Sequence, residues 1–276
     1  MEDHKTTSLN IVGVPEHFNL PWRLVSKKQS ALGLPAFNWI ENPSGTGAMC
    51  QQLRSGAADL AVLLTEGAVK EAAQNPNIRL ISFYVMSPLI WGIHASSNIS
   101  IDLRNRLINN RFAISRFSSG SHLMACLYSN QKGHQLSADD FQVVNNLEGA
   151  RVAMKRDSDL IFLWEKFMTR YLVESGEMVR IDEYPAPWPA FTIACSCSAW
   201  EREEAGIRQI IETVLSEAQV LKNNRLAVAL ICDHYRISER DASSWLDSVE
   251  WAGEISIDTK LLGGIQNNLQ ALGILN

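Results

Sequence analysis

Two stretches decide the fold: residues 42–62, NPSGTGAMCQQLRSGAADLAV, and their partial echo at residues 112–128, FAISRFSSGSHLMACLY. In each, a loop of Ser, Gly and Thr runs directly into an amphipathic, helix-like segment. A short apolar strand precedes the second loop and is expected before the first. Strand, small-residue loop and helix N-terminus together form a socket for a small anion. The N–H groups of the first helical turn lack intrahelical acceptors, the helix dipole favours negative charge, and glycine lets a ligand approach the backbone. Two such sockets about seventy residues apart point to two lobes closing on one small molecule.

Outward from these stretches the chain alternates strand and helix patterns. In the first part, strands are expected at 9–14, 36–40, 60–64, 78–86 and 89–95, with helices at 21–32, 48–55 and 67–74. After a polar passage, ASSNIS, the pattern restarts with strands at 112–114, 141–144 and 160–164 and helices at 119–130, 147–154 and 166–174. A last strand at 191–195 leads into helical periodicity at 201–223, 224–235, 239–249 and 259–272. Such an order implies an α/β protein with mostly parallel sheets flanked by helices. The economical architecture is two-lobed: lobe 1 from residues 1–94 and the C-terminal helices of 197–276, lobe 2 inserted as 95–196. Crossings near 93–97 and 195–199 would form the hinge. Ligands of open parallel sheets bind beyond the carboxyl ends of the strands, where both sockets fall.

Composition narrows the function. The 276 residues are 46% hydrophobic and 20% charged, with a net charge of −5. An acidic balance argues against nucleic acid. The densest basic groups, Lys27–Lys28 and Arg104 with Arg106, read as solvated helix faces. No stretch reaches eighteen apolar residues, so no membrane span is expected. The N-terminus, MEDHKTTSLNIVGV, has no apolar h-region, and the five cysteines are odd in number and unevenly spaced. Reduced thiols and a cytoplasmic location are the expectation. Cys195 and Cys197 would share one face of a strand as plain packing; no histidine pair stands near enough to suggest a metal site.

The opening strand LNIVGVPEH, the element SGTGAMCQQLRSGAADLAVLLTEG, the segment ISRFSSGSHLMA and the late PAPWPAFTIA together resemble the type II periplasmic-binding-protein family, near its alkanesulfonate, taurine and thiamine-precursor binding members. Gly56 ends the helix of the second element and Asp59 precedes its buried strand. The resemblance covers essentially the whole chain. It implies a signal-less, stand-alone subfamily with a ligand cleft between two lobes. Lacking a secretion signal or lipobox cysteine, the sequence departs from the transport members, which puts a transporter partner in doubt.

Candidate ligand contacts follow from both readings. Ser44, Gly45, Thr46 and Gly47 offer hydroxyls and helix N–H groups, though the same residues serve as an N-cap and turn. Ser115, Arg116, Ser118, Ser119, Gly120, Ser121 and His122 are the richest polar cluster; Arg116 suits a carboxylate, sulfonate or phosphate. Glu16 and His17 follow the first strand as hydrogen-bonding groups or an acid/base pair. Thr65 and Glu66 follow the third strand, Trp164 and Glu165 end a lobe 2 strand, and Trp188 lies between two prolines as a platform for a planar ligand. Asp59 reads as fixing a turn. No catalytic signature stands out and no cofactor is implied. The expected function is binding of an anionic or heterocyclic metabolite with hinge closure. The alternatives are a cytosolic enzyme of cofactor biosynthesis on the same fold, chorismate-dehydratase-like or pyrimidine-synthesis-like, and a partner-binding module using an exposed helix face.

Overall fold

The computed structural model describes residues 8–99, 111–235 and 237–275. The N-terminal heptad, Arg104 and Arg106, and the end of the ASSNIS passage lie outside the described residues. The chain forms two compact units, one of residues 1–87 and 188–267 and the other of residues 88–187 and 268–276.

In unit 1 the sheet order is β2 (Phe37–Glu41), β1 (Leu9–Gly13), β3 (Leu60–Leu64) and the second part of β8 (Met178–Ser196). β1 runs parallel to β2 and β3, in register Gly13 with Glu41 and Val12 with Ala61. β8 returns antiparallel, with Leu64 opposite Phe191. Helix α1 (Leu20–Lys28) packs against the long α7 (Cys197–Lys222), while α2 (Thr46–Ser55) and α3 (Thr65–Gln74) pack against β3 and each other. Ile11, Trp22, Leu60, Phe191 and Trp245 fill the core. Helices α8 (Ala227–Tyr235), α9 (Glu239–Ser248) and α10 (Thr259–Ala271) follow. The unit 1 part of β4 (Ile78–Ser96) is met by the segment after α9, through Val85 opposite Trp251 and Phe83 N–H donating to the Ser256 carbonyl.

Unit 2 has the order β4, β7 (Leu160–Glu165), β5 (Arg111–Ile114), β6 (Phe141–Val143). β5 is parallel to β6 and β7, and β4 is antiparallel to β7. In each unit three strands run parallel, joined antiparallel by β8 in unit 1 and by β4 in unit 2. Helices α4 (Gly120–Gln131), α5 (Leu147–Arg156) and α6 (Arg170–Glu174) accompany it, over a core that includes Ala113, Met154, Leu160, Phe162 and Met178.

Several element limits differ from the sequence expectation. β4 is one strand of 19 residues, continuous through Ser87-Pro88, where two strands were expected. β8 begins at Met178 and includes Pro185, Pro187 and Pro189. At a spacing of two, these prolines leave N–H groups off a single edge of the strand. Cys197 opens α7, because the Ser196 side chain caps the helix by accepting from Ala199 N–H at 3.2 Å; it therefore does not share a strand face with Cys195. The helix expected from residue 166 begins only at Arg170, since the Glu165 carboxylate accepts from Phe167 and Met168 N–H at 2.9 and 2.8 Å and holds a turn there. No described helix is long and apolar enough to cross a membrane.

At the start of α5 the Asn146 side chain accepts from Gly149 N–H at 2.9 Å. A Cβ on Gly149 would lie 1.8 Å from the Val144 carbonyl oxygen. The adjoining backbone is tied to β5 and the serine loop by Val144 N–H to Ile114 and Asn145 N–H to Ser115. Gly149→Ala should therefore displace this loop and lower stability by about 1–3 kcal/mol, the usual range for overpacking, as read by urea unfolding; an unchanged midpoint would show that the backbone relaxes freely.

Candidate functional site

In each unit the polar residues named from sequence gather at the carboxyl edge of the parallel strands. In unit 1 the register puts the ends of β1, β2 and β3 and the approach of β8 on the same side. Glu16 and His17, the 42–46 loop, Thr65, Glu66 and Trp188 emerge there. In unit 2 β5 and β7 end together, which places the 115–121 loop beside Trp164 and Glu165.

The unit 1 loop is organised by Asn42. Its Oδ1 accepts from Ser44 N–H at 2.9 Å and its side-chain amide donates to Gln52 at 2.7 Å. Gly45 adopts φ +75° and ψ −175°, a conformation that only glycine takes without strain, and turns the chain into α2. No hydrogen bond to Thr46 or Gly47 N–H occurs among the described residues. The Thr46 hydroxyl, expected to face a ligand, accepts from Leu64 N–H at 3.2 Å. A Cβ on Gly67 would lie 2.4 Å from Thr46 Cγ2, so the first turns of α2 and α3 are packed together. Thr65 is buried and hydrogen-bonds Thr192 across the β3–β8 pair at 2.9 Å.

Glu66 is only 6% exposed. Its Oε2 accepts from the Trp188 indole N–H at 2.9 Å, and its Oε1 is buried with no hydrogen-bond partner among the described residues. Burial pushes this carboxyl up to about 7, against the opposing pull of its own backbone N–H and of Trp188. Trp188 is itself buried, so its ring packs inside unit 1 and its N–H is committed to Glu66. The carboxyl of half-buried Glu16 makes no hydrogen bond or ion pair among the described residues, and burial raises it to about 7. His17 lies among aromatic rings, 4.7 Å from Phe18 and 4.4 Å from Trp245, and burial lowers it to about 3. A neutral imidazole follows, which takes up no second proton near neutrality.

The unit 2 loop is knit internally. Ser119 caps α4 by accepting from His122 N–H; Ser121 Oγ accepts from Ser115 N–H at 3.0 Å and meets Ser119 Oγ at 3.0 Å. Ser118 has φ +63°, and its N–H donates to His122 Nδ1 at 3.2 Å. Gly120 is the first residue of α4. The Arg116 side chain is exposed and makes no hydrogen bond or ion pair among the described residues; its carbonyl accepts from Ser119 N–H at 3.2 Å. Trp164 stacks on Phe162 at 5.4 Å and packs on the unit 2 core; Glu165 holds the turn described above. These two residues are structural in the contacts they make.

Two residues that pack against these candidates were not named from sequence. Phe117, beside Arg116, is 50% exposed and meets His122 and Phe141 edge-on. An aromatic residue inside a serine loop is the sequence signal for it. Tyr235 on α8 faces His17, with ring centroids 6.2 Å apart, and lies within electrostatic reach of Glu16, Glu41 and Arg23. No local pattern connects it to residues 194 or more positions earlier.

Residues 91–184 match the Ca3427-like PBP (periplasmic binding protein) family. The chain is similar over 98% of its length, with 27% identity and a TM-score of 0.88, to 91% of the CA3427 gene product of Candida albicans, which defines a family with the generic periplasmic binding protein fold. It is also similar in fold to the alkanesulfonate-binding protein SsuA from Xanthomonas axonopodis pv. citri bound to MOPS (14% identity, 98% and 94% coverage, TM-score 0.79). PhnD1 from Prochlorococcus marinus in complex with methylphosphonate shares the fold at 14% identity (98% and 100% coverage, TM-score 0.66). No curated protein matches the sequence. Fold, strand order and these likenesses define a periplasmic-binding-protein-like chain. Its fold is that of the type II periplasmic-binding-protein-like proteins that the sequence resembles.

The raised carboxyl of Glu66 has a measurable consequence. Because it holds its proton to a higher pH folded than unfolded, its contribution to stability falls as pH rises from about 4.5 to about 7. Glu66→Gln should flatten that part of the pH–stability profile and gain up to a few kcal/mol relative to the native chain above neutrality. Parallel urea-unfolding profiles for both proteins would argue against a buried, proton-retaining Glu66.

Proposed function

We propose that the protein binds a small metabolite carrying an anionic group and closes around it by hinge motion. Arg116 carries the reading. An exposed guanidinium without an ion pair among the described residues, on a loop of serines at the start of a helix, is suited to an oxyanion. Phe117 beside it offers an apolar surface for the remainder of the ligand. The open N–H groups of Thr46 and Gly47 in unit 1 are a further pair of donors. Support also comes from fold relatives described with a sulfonate buffer and with methylphosphonate. Burial of most of a small ligand's surface, with a few polar groups fixing its orientation, is the usual route to affinity.

A thermal-shift screen against sulfonates, phosphonates, phosphates and carboxylates tests this directly. A ligand at about a hundredfold excess over its dissociation constant should stabilise the fold by about 2.7 kcal/mol. Arg116→Ala should weaken the responding ligand by roughly 1.5–3 kcal/mol, the cost of a lost hydrogen bond to a charged group. A dissociation constant unaltered in that variant would remove Arg116 from the site; a folded protein that no anion stabilises would overturn the reading.

A further inference from the structure

The chain passes from one unit to the other three times: within β4 after Ser87, within β8 before Trp188 and within α10 after Asn267. The third passage is a helix. A helix anchored in two bodies is a rod between them, and holds them fixed unless its hydrogen-bond ladder can open along its length.

Both ends of α10 are anchored. At its start, Asp258 Oδ1 accepts from Lys260 and Leu261 N–H at 2.8 and 3.0 Å, a cap whose negative charge suits that end of a helix. At its close, Gly273 takes φ +66° and donates from its N–H to the Gln270 carbonyl, while Ile274 N–H reaches back to the Leu269 carbonyl. These two bonds make a Schellman ending, and Leu269, Ile274 and Leu275, on the unit 2 side of the passage, are buried.

The middle of the helix is different. Residues 263–268 read GGIQNN, of which Ile265 alone is buried. Glycine is the weakest helix former after proline, and asparagine ranks low. The packing requires neither glycine. Neither has a left-handed φ, and a Cβ at either would meet nothing within 4 Å, in contrast to Gly67 and Gly149. Alanine would fit at both positions and strengthen the helix. The weakness lies in the sequence and is not imposed by the fold.

We propose that residues 263–268 of α10 are a flexure: their ladder opens while the Asp258 cap and the Schellman ending stay in place, so the third passage yields when the units move. The inference rests on the hinge closure proposed above and names the segment that permits it.

The test compares the full chain with the Gly263→Ala/Gly264→Ala double variant, both free of ligand; the single variant at exposed Gly264 serves if the double one fails to fold. Amide hydrogen exchange read by mass spectrometry follows the ladder. The native 263–268 segment should exchange by local opening, faster than α7 around the buried Ile210 and Ile211. In the double variant it should slow by roughly ten- to thirtyfold, the effect of two such replacements within a helix. Pulsed electron–electron resonance follows the motion, between nitroxides on unnatural side chains introduced at the exposed positions of Gln209 in α7 and Tyr171 in α6. The native distribution of distances should be broad and the variant's narrower. A helix without this role would change the first readout and leave the second alone. A native segment as protected as α7, or a distribution equally broad in both proteins, would overturn the flexure while hinge closure stands. One narrow distribution in both proteins would remove the motion of the units, and the flexure with it.

Discussion

The bond from the Trp188 indole N–H to Glu66 joins residues 122 positions apart inside unit 1. Trp188 is the first residue of the chain's return to this unit, and Glu66 opens the helix that follows β3. Their bond therefore fixes where β8 begins its antiparallel run beside β3, and Thr65 with Thr192 fastens the same pair further along. The α2 loop depends on this junction in turn, because Thr46 accepts from Leu64 N–H and Gly67 leaves room for the Thr46 methyl. Buried, hydrogen-bonded polar groups of this kind specify one arrangement, since any other leaves a carboxyl or an indole N–H unsatisfied in an apolar interior.

The polar edges of the two units differ in character. Unit 1 offers carboxyls in a largely aromatic setting, where Phe18, Trp245 and His17 exclude water and keep the imidazole neutral. Unit 2 offers an arginine and a set of hydroxyls that mostly satisfy one another. In that loop, Ser119 and Ser121 serve the backbone, which holds Arg116 and Phe117 outward on a rigid turn. The positive φ at Ser118 and the bond from its N–H to His122 are part of the same device. Rigid support beneath a few exposed groups is what a selective binding surface requires.

Much of the architecture was legible in the sequence. Apolar runs followed by Gly- or Ser-rich loops marked the strand-to-helix turns, because each such turn needs a cap and a small residue. The long crossing strands were not legible. Ser87-Pro88 and the Pro185–Pro187–Pro189 series look like breaks, although prolines at alternate positions are compatible with a strand whose missing donors face one edge. The polar residues could be placed on loops, but their duties could not be assigned from spacing. Thr46 and Glu165 are occupied by backbone N–H groups of nearby segments, and Trp188 by a carboxylate far away in sequence. Tyr235 was invisible for the same reason: its surroundings are created by tertiary packing.

The most direct measurement is recovery of a bound small molecule. Native protein would be equilibrated with a metabolite extract, freed of unbound solutes by gel filtration, denatured, and the released molecules identified by mass spectrometry. The account predicts one small, intact metabolite held at near one equivalent per chain, and absent from a folded Arg116→Ala variant. A native protein that retains no small molecule, or one retained equally by the variant, would contradict it.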